Sequence, residues 1–447
     1  MYNINSNINT DSAFLIKRSL IESRLEPKFY TKKYINNVIK LENSGYPVFN
    51  LSEVTDLISD GTHFTPNYVD DGVKFISVKD VRKSKIDLNN TKYITLEEAD
   101  KLDRRCKPQI NDVLLTKIGA TFGFASTVET NERFQIFVSL ALLRPNSKIL
   151  PKYLEVFLNS DLAYIQYERV IKGAGVPDLH LEDIRKIKIP LPTMEEQVRI
   201  VSNFQIAYDE NIQKENLAKE LTQNIDTYLL DILSIELPIR DTTYSKRTFE
   251  VNWSEISGVR FDAFSFFNNA IKIEGGIYEN KKLRELATVN KGQSITSSNV
   301  IAGQYPVIAG GKTSPYSHNE YNYDGKTITI SASGAYSGYV WYHNEPIFAS
   351  DCAVIKSKDE NIITMDFLSE ILKLKQTEIY ALQQGAGQPH VYPSDLIKLN
   401  IPVPPIDIQE RITTHIFELR EKAKQLEIEA KEVLDNAKKE IEKMIIG

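Results

Sequence analysis

Polar side chains that could hydrogen-bond nucleic-acid bases and phosphates lie on several predicted loops. In the first half of the chain, these loops contain Gly61, Thr62, His63, Thr65, Lys117 and Thr121. In the second half, they contain Gln293, Ser294, Lys312, Ser333, Tyr336, Gln388 and His390. Hydroxyl, amide, imidazole and ammonium groups of this kind contact base edges and phosphates. We interpret them as candidate DNA-recognition residues; the alternative interpretation is that these loops are ordinary solvated turns.

The sequence contains no complete catalytic or metal-binding motif. Gly310–Thr313 resembles the end of a phosphate-binding loop, but that motif requires glycine where the chain has Pro306. The six histidines show no H-E-x-x-H spacing, and Cys106 and Cys352 are 246 residues apart with no C-x-x-C anywhere. We therefore expect no catalytic residue, cofactor or metal in this chain, and two buried free thiols. The alternative from another class is a nucleotide- or phosphate-binding enzyme that uses Gly310–Ser314.

Length and composition are those of a globular protein. The chain has 447 residues, of which 42% are hydrophobic and 26% charged, which is room for about three domains. No run of 18 apolar residues occurs, and the first 20 residues lack the apolar core of a secretion signal. We therefore expect a cytoplasmic protein that does not enter a membrane.

The net charge of −6 at pH 7 is distributed unevenly. Residues 45–189 contain 20 basic and 20 acidic residues, and residues 281–401 contain 11 of each. Residues 190–236 contain 3 basic and 9 acidic residues, and residues 402–447 contain 8 and 10. Because the two long segments are neutral, DNA binding by them would depend on basic patches. Two basic clusters could neutralise phosphates: Arg82–Lys85 and Lys101–Lys107.

An internal repeat organises the chain. Residues 173–200 and 385–412 align without a gap at an offset of 212, and twelve of the 28 positions are identical. The shared positions include a Gly-Ala-Gly turn, an I-P-x-P element and a Q-x-R-I element. Weaker sequence similarities between the two halves lie upstream. Gly119 and Gly123 match Gly334 and Gly338, Ile136–Ser139 matches Ile347–Ser350, and Arg24–Glu26 matches Arg260–Asp262. The chain is therefore interpreted as a tandem of two related units.

A long helix is predicted after each I-P-x-P element, because the prolines end a strand and deliver the chain to a helix start. No glycine or proline occurs from Thr193 to Ser234, and apolar residues recur there at mostly helical intervals. Between Ile412 and Met444, apolar residues recur in steps of three and four, close to the period of a coiled coil. Each helix would be about 40 residues, or roughly 60 Å, long. We expect the two helices to pack on each other.

The segments before these helices have the pattern of mixed α/β domains. Short runs rich in β-branched and aromatic residues are bounded by Gly, Asn and Asp, which is typical of strands. A helix is expected near 151–172, and its counterpart near 364–384. The predicted fold class is α+β: two mixed α/β domains separated by a pair of long antiparallel coiled-coil helices, in a pseudo-two-fold tandem repeat.

Taken in order, these features resemble the DNA-specificity subunit of Type I restriction–modification systems over essentially the whole chain. The first shared feature is the I-P-x-P element, here called the strap, which runs into a Q-x-R-I helix in each half (Ile189–Ile200 and Ile401–Ile412). The second is the duplicated layout of the chain. The third is a set of five stretches: DGTHFTP, LLTKIGATFG, YPVIAGG, TISASGAYSGYV and IFASDC. The implied domains are an N-terminal helical segment at 1–44, target-recognition domain 1 at 45–189, a central spacer helix at 190–236, a linker with the N-terminal segment of the second repeat at 237–280, target-recognition domain 2 at 281–401, and a C-terminal spacer helix at 402–447.

The resemblance implies a non-catalytic adaptor. Each target-recognition domain would read one half of a bipartite site in double-stranded DNA, and the helix pair would dock two methyltransferase subunits. Those partners would bind S-adenosylmethionine and flip the adenine, and an endonuclease subunit that uses ATP and Mg²⁺ would be able to join. The first 44 residues look more like what precedes recognition domains in systems with fused subunits. The alternative within the family is therefore a specificity subunit that serves a fused restriction–methylation enzyme.

Overall fold

The chain divides into two compact units. The computed structural model describes residues 26–173, 175–237, 272–314, 316–385 and 387–447. The first unit contains Met1–Lys214 and Ile428–Gly447, and the second contains Glu215–Glu427. Both boundaries fall inside long helices, so each unit contains a part of each long helix.

Up to the first boundary, the chain alternates short helices and strands. The helices are α1 (Lys32–Glu42), α2 (Leu51–Val54), α3 (Leu96–Asp103), α4 (Pro151–Leu158), α5 (Asp161–Val170), α6 (Leu181–Arg185) and the long α7 (Met194–Leu233). The strands are β1 (Val48–Asn50), β2 (Thr55–Asp60), β3 (Tyr68–Val69), β4 (Val73–Ile76), β5 (Val81–Arg82), β6 (Lys85–Ile86), β7 (Lys92–Ile94), β8 (Val113–Thr116), β9 (Ala125–Thr127), β10 (Phe134–Ile136), β11 (Leu140–Pro145) and β12 (Lys188–Pro190).

The central sheet of the first unit is buried on both faces. Its strand order is β2-β11-β8-β9, with every pair antiparallel. Val113 and Leu115 of β8 pack in the core formed with α4 and α5, whereas Leu114 packs in a second core on the opposite face. The second core includes residues of another sheet, β10-β4-β7-β3, in which β10 and β4 are parallel. Burial on both faces explains why β8 and most of β11 are continuous apolar runs.

The second unit repeats this arrangement. Its helices are α8 (Leu283–Leu286), α9 (Met365–Leu374), α10 (Gln376–Tyr380), α11 (Pro393–Leu396) and the long α12 (Ile406–Ile446). Its strands are β13 (Asn280–Lys282), β14 (Ala287–Lys291), β15 (Ala302–Ile308), β16 (Ser317–His318), β17 (Thr327–Ser331), β18 (Val340–His343), β19 (Phe348–Ala349), β20 (Cys352–Ser357) and β21 (Asn400–Pro402). The sheet β14-β20-β17-β18 is antiparallel throughout, and the smaller sheet β16-β15-β19 contains a parallel pair, β15 with β19.

Each I-P-x-P strap forms a strand pair with matching register. Phe49 pairs with Ile189 in the first unit, and Lys281 pairs with Ile401 in the second. The glutamine of each Q-x-R-I element links the strap to the segment that leads into a shorter helix earlier in the same unit. Gln197 is fully buried; its amide accepts a hydrogen bond from the N–H of Leu150 (2.8 Å) and donates to the carbonyls of Lys148 and Pro192 (both 3.1 Å). Gln409 makes the equivalent bonds to Thr364, Ile362 and Pro404.

The two long helices run antiparallel inside each unit. In the first unit, Asn203 of α7 contacts Met444 of α12, and the buried Asn211 donates to the carbonyl of Ala430 (3.0 Å). In the second unit, Tyr228 of α7 lies against His415 of α12, with ring centroids 4.6 Å apart. Apolar residues of both helices join each unit's core: Ile200, Ile441 and Ile445 in the first, and Ile225, Leu229, Ile412 and Ile416 in the second.

The ends of the long helices make a second equivalent contact. The N–H of Gly45 donates to the carbonyl of Ile446 at the end of α12 (2.6 Å). In the second unit, the N–H of Ile277 donates to the carbonyl of Leu233 at the end of α7 (3.2 Å). Each repeat therefore starts against the end of a long helix.

The predicted α+β class, tandem repeat and two long helices are confirmed. The single helices expected near 151–172 and 364–384 were wrong, since each is two helices. The break between α4 and α5 falls at Asn159, which is the C-cap of α4, and Ser160, whose hydroxyl caps the start of α5. The expected free thiols are confirmed: Cys106 and Cys352 are buried, and burial raises the pKa of each thiol to about 12. The predicted sequence match between Arg24 and Arg260 lies outside the described residues.

Candidate nucleic-acid interface

The loop that follows β2 is fixed to the second sheet. A Cβ atom on Gly61 would lie 1.9 Å from the carbonyl oxygen of Ile136, so only glycine fits there. The N–H of Thr62 donates to that carbonyl (3.1 Å), and the hydroxyl of Thr62 accepts from the N–H of Phe64 (3.2 Å). Thr62 is thus buried and supports the turn, whereas His63, Phe64 and Thr65 are exposed. The loop presents an imidazole, a phenyl ring and a hydroxyl to solvent.

In the first unit, the chain on either side of the Gly-Ala-Gly element forms a hairpin that docks beside this loop. Lys172 and Asp178 exchange both backbone hydrogen bonds (3.1 and 2.9 Å), and Gly173 between them has φ of +95°. The N–H of Gly119 donates to the carbonyl of Pro177 (2.9 Å), which joins the hairpin to the segment after β8. In that segment the carbonyl of Thr121 accepts from the hydroxyl of Thr116 (2.5 Å), and its own side chain is half-buried.

A buried carboxylate connects these loops. Asp60, whose side chain is 4% exposed, lies 3.6 Å from the ammonium group of Lys117 and binds the guanidinium of Arg105. Lys117 also lies 3.7 Å from the carboxylate of Asp178, and its own side chain is only 6% exposed. His180 lies 3.6 Å from the same Asp178. Lys117 therefore stabilises the buried base of the cluster that Asp60, Asp178 and Arg105 form with it, and its ammonium group is not presented to solvent.

The second unit builds the equivalent cluster with other side chains. A Cβ atom on Gly292 would lie 2.2 Å from the carbonyl oxygen of Ser350, and the N–H of Gln293 donates to the carbonyl of Ala349 (2.9 Å). Gln293 and Ser294 are exposed, as His63 and Thr65 are in the first unit.

The second Gly-Ala-Gly hairpin is closed by Gln384 and His390, which exchange both backbone hydrogen bonds (2.8 Å each). His390 also bridges to Ser333, and the hydroxyl of Ser333 binds the carboxylate of Asp351. The exposed Gln388 lies at the hairpin tip. The hairpin, the segment after β17 and the segment before β20 therefore meet at one place.

Lys312 lies over two tyrosines of this cluster. Its ammonium nitrogen is 4.7 Å from the ring centroid of Tyr336 and 5.3 Å from that of Tyr339, which is a cation–π arrangement. Gly310 lies so close to Ser333 that a Cβ atom there would be 2.4 Å from the serine carbonyl. The next described element after this segment is the strand β16, so the segment does not lead into a helix as a phosphate-binding loop does, and the alternative gains no support from the fold.

The structure thus groups the predicted site residues into two sets, one in each unit. Equivalent backbone positions carry different side chains: Asp60 and Lys291, Lys117 and Ala332, Asp178 and His390. The roles of the grouped residues in recognition stay predictions. The candidate recognition residues predicted from the sequence did not include Asp60, Asp178, Asp351 or Tyr339, and Arg105 was predicted only as one member of a basic cluster.

Several residues of the two predicted basic clusters make contacts within the protein. Lys101 pairs with Glu97 (2.8 Å), and Lys107 lies 3.5 Å from Asp103. Lys83 packs beside the long helices in a cavity of about 70 Å³ that Lys438 also lines. Within the described ranges, no group of three or more His, Cys, Asp or Glu residues could hold a metal ion. None of the described helices is long and apolar enough to cross a membrane.

Comparisons with known proteins point to one family. A sequence model described as the type I restriction modification DNA specificity domain matches residues 43–223 and 277–435. The chain is 28% identical over 211 residues to the specificity subunit of the type I restriction enzyme EcoBI of Escherichia coli, covering 46% of this chain and 41% of the relative. It is 28% identical over 146 residues to the putative type I specificity subunit S.MpnORF615P of Mycoplasma pneumoniae, covering 31% of this chain and 57% of the relative. The chain spans about half the length of these curated relatives.

A structural comparison shows the same fold. A solved chain from a study of complex assembly and conformational transition of the type I restriction–modification system matches with a TM-score of 0.52 and 17% identity. The match covers 90% of this chain and 96% of that chain.

Proposed function

Because the chain belongs to the type I restriction–modification DNA specificity family, we propose that it reads a bipartite site in double-stranded DNA, one half with each unit. The chain itself carries no catalytic residue and binds no cofactor. Two methyltransferase subunits dock on it and bind S-adenosylmethionine, and an endonuclease subunit that uses ATP and Mg²⁺ can join them. The complex acts in the cytoplasm.

The observation that carries this proposal is the pair of equivalent loop clusters. Each cluster is built on the same close glycine contact, Gly61 or Gly292, and on the same Gly-Ala-Gly hairpin. The backbone is repeated while the exposed side chains differ. Two units that bind two different half-sites require a shared backbone with different exposed side chains. The reason is that phosphate contacts position a protein, whereas side chains that contact base edges specify the sequence.

Charge supports a need for partners. Both recognition segments are neutral overall, and several of their lysines pair with carboxylates. Affinity for DNA depends strongly on the number of phosphates neutralised. The chain alone would therefore make few phosphate contacts, and methyltransferase subunits would supply the rest.

The test compares the purified chain with its complex with the methyltransferase subunits, using methyl transfer to a random DNA library and equilibrium DNA binding at several salt concentrations. We expect no methyl transfer and weak binding for the chain alone. We expect modification of one bipartite sequence, and tighter, more salt-dependent binding, for the complex. Methylation by the demonstrably pure chain would contradict the adaptor role, and a complex that modifies DNA without sequence preference would contradict specificity.

A further inference from the structure

Arg105 is held along one edge of its guanidinium group. Its Nε–H faces the backbone carbonyls of Asp60 (3.3 Å) and Gly61 (3.2 Å). Its Nη2 binds the carboxylate of Asp60 and donates to Nε2 of His63 (2.9 Å). The Nη1 amino group has no protein acceptor among the described residues, and the side chain is 50% exposed. The guanidinium is therefore fixed while two of its N–H donors remain available.

The group that fixes it is itself rigid. Asp60 ends β2, opposite Ala141, and its buried carboxylate is shared with the ammonium group of Lys117. A free arginine loses rotamer entropy when it is ordered; in Arg105 much of that ordering is already present in the free protein. Pre-ordering of this kind favours a contact that depends on direction over one that depends on charge alone.

We propose that Arg105 reads a guanine in the half-site of the first unit, an inference that rests on the proposed function. Guanine presents two adjacent acceptors, O6 and N7, in the major groove, and arginine is the commonest partner for them. The other three bases do not offer this acceptor pair, because adenine and cytosine each present an amino donor and thymine presents one acceptor beside a methyl group. Arg105 donates through Nη1 and acts as a specificity-determining residue.

Its position among the recognition groups supports this role. Arg105 contacts His63 directly, and the neighbouring Phe64 is 82% exposed on the same loop. The adjacent Arg104 is also exposed, but its side chain makes no hydrogen bond or ion pair to the described part of the chain. Arg104 is thus a matched control that has the same charge and sequence neighbourhood without the fixed geometry.

The experiment measures binding of the full complex to DNA in which 7-deazaguanine replaces each guanine of the first half-site in turn. This change removes the N7 acceptor and leaves base pairing intact. We expect the parent complex to lose affinity at one guanine. Loss of a whole two-acceptor contact corresponds to roughly 5- to 150-fold, or about 1–3 kcal/mol at 1.4 kcal/mol per tenfold, and removal of N7 alone should cost a part of it. Arg105→Ala should bind normal DNA more weakly and show no further loss on the modified DNA, whereas Arg104→Ala should keep the full loss.

Loss of folding and failure of the proposed function have separate signatures. Recognition of the second half-site by Arg105→Ala reports that the protein is intact. A parent complex that discriminates no sequence would contradict the proposed function. A discriminating parent whose first half-site has no sensitive guanine would overturn only the role of Arg105. The same conclusion would follow if Arg105→Ala keeps the parent pattern, or if it weakens all sequences equally.

Discussion

Asp178 and His390 occupy the same position in the two units. Each closes a Gly-Ala-Gly hairpin through two backbone hydrogen bonds, and each bridges to the segment after a central strand, at Ile118 and Ser333 respectively. One side chain is a carboxylate next to Lys117, and the other is an imidazole stacked on Tyr392. The repeat therefore preserves the backbone of the cluster while it changes the charge, as the proposed reading of two different half-sites requires.

The second cluster should be separable from the first in its effect on specificity. Lys312→Ala or Gln388→Ala should relax or abolish recognition of one half-site and leave the other intact, because the residues belong to one unit. Loss of a good base contact corresponds to about 1–3 kcal/mol. Methylome sequencing of cells that express each variant measures the outcome. Variants that lower affinity equally for all DNA sequences would show that these residues contact phosphate or only stabilise the fold.

Gln197 should be a stability residue of the first unit. Gln197→Ala leaves the N–H of Leu150 and the carbonyls of Lys148 and Pro192 without their buried partner, and we expect a loss of about 1–3 kcal/mol in the free energy of unfolding. The control is Arg199→Ala in the same Q-x-R-I element, since the Arg199 side chain is 63% exposed. Urea unfolding measures both. Equal stability of the two variants would contradict the role of the glutamine.

Stability should fall on mild acidification because of His343. Burial lowers the pKa of His343 to about 4, and its Nε2 lies 2.9 Å from the hydroxyl of Thr329. Between the unfolded pKa of about 6.5 and this value, the unfolded state binds the proton and the folded state does not, so stability decreases as pH falls through that window. The full effect is up to about 3 kcal/mol.

Urea unfolding at pH 7.5 and pH 5 checks the His343 prediction, with His343→Gln and His180→Gln compared with the parent protein. The first variant should lose much of the pH dependence. The second should keep it, because the side chain of His180 is half exposed. Identical pH profiles for all three proteins would show that His343 does not contribute.

A fragment of residues 1–237 should dimerise. It retains the first recognition loops and all of α7 but lacks Ile441 and Ile445, which complete the core of the first unit. At the repeat offset of 212, residues 215–233 of a second copy are the equivalents of residues 427–445 and can fill that place. Two copies would convert the pseudo-symmetry into true symmetry. We expect a homodimer that, with the methyltransferase partner, modifies a palindrome of the first half-site.

Light scattering and methylome sequencing test the fragment. A stable monomer would contradict the prediction that a second copy completes the core. Modification of asymmetric sites by the fragment would contradict independent reading by each unit.

Local signals in the sequence predicted most of the fold. Prolines at 190 and 192 and the uninterrupted apolar spacing after Thr193 are local features, and they placed α7 to within a residue or two. The α4–α5 break was missed because the apolar pattern continues across Ser160. The contact of Asp60 with Arg105 was missed for a different reason: the residues are 45 positions apart and meet only through tertiary packing. Burial of Lys117 has the same origin, since Asp60 and Asp178 come from separate segments.

The contacts of Gly45 with Ile446 and of Ile277 with Leu233 bear on how such a protein can change its specificity over generations. In the second unit, the helix end and the start of the next repeat are joined by one stretch of chain, 234–276; in the first, the same contact is made by residues far apart in sequence. Covalent continuity is therefore not what holds the start of a repeat against the end of a long helix. A gene exchange with its crossover inside the repeated strap and helix would transfer one complete unit together with the contacts between its start and the end of a long helix. If each unit reads one half-site, as proposed, half-site specificities could then be recombined without redesign of either core.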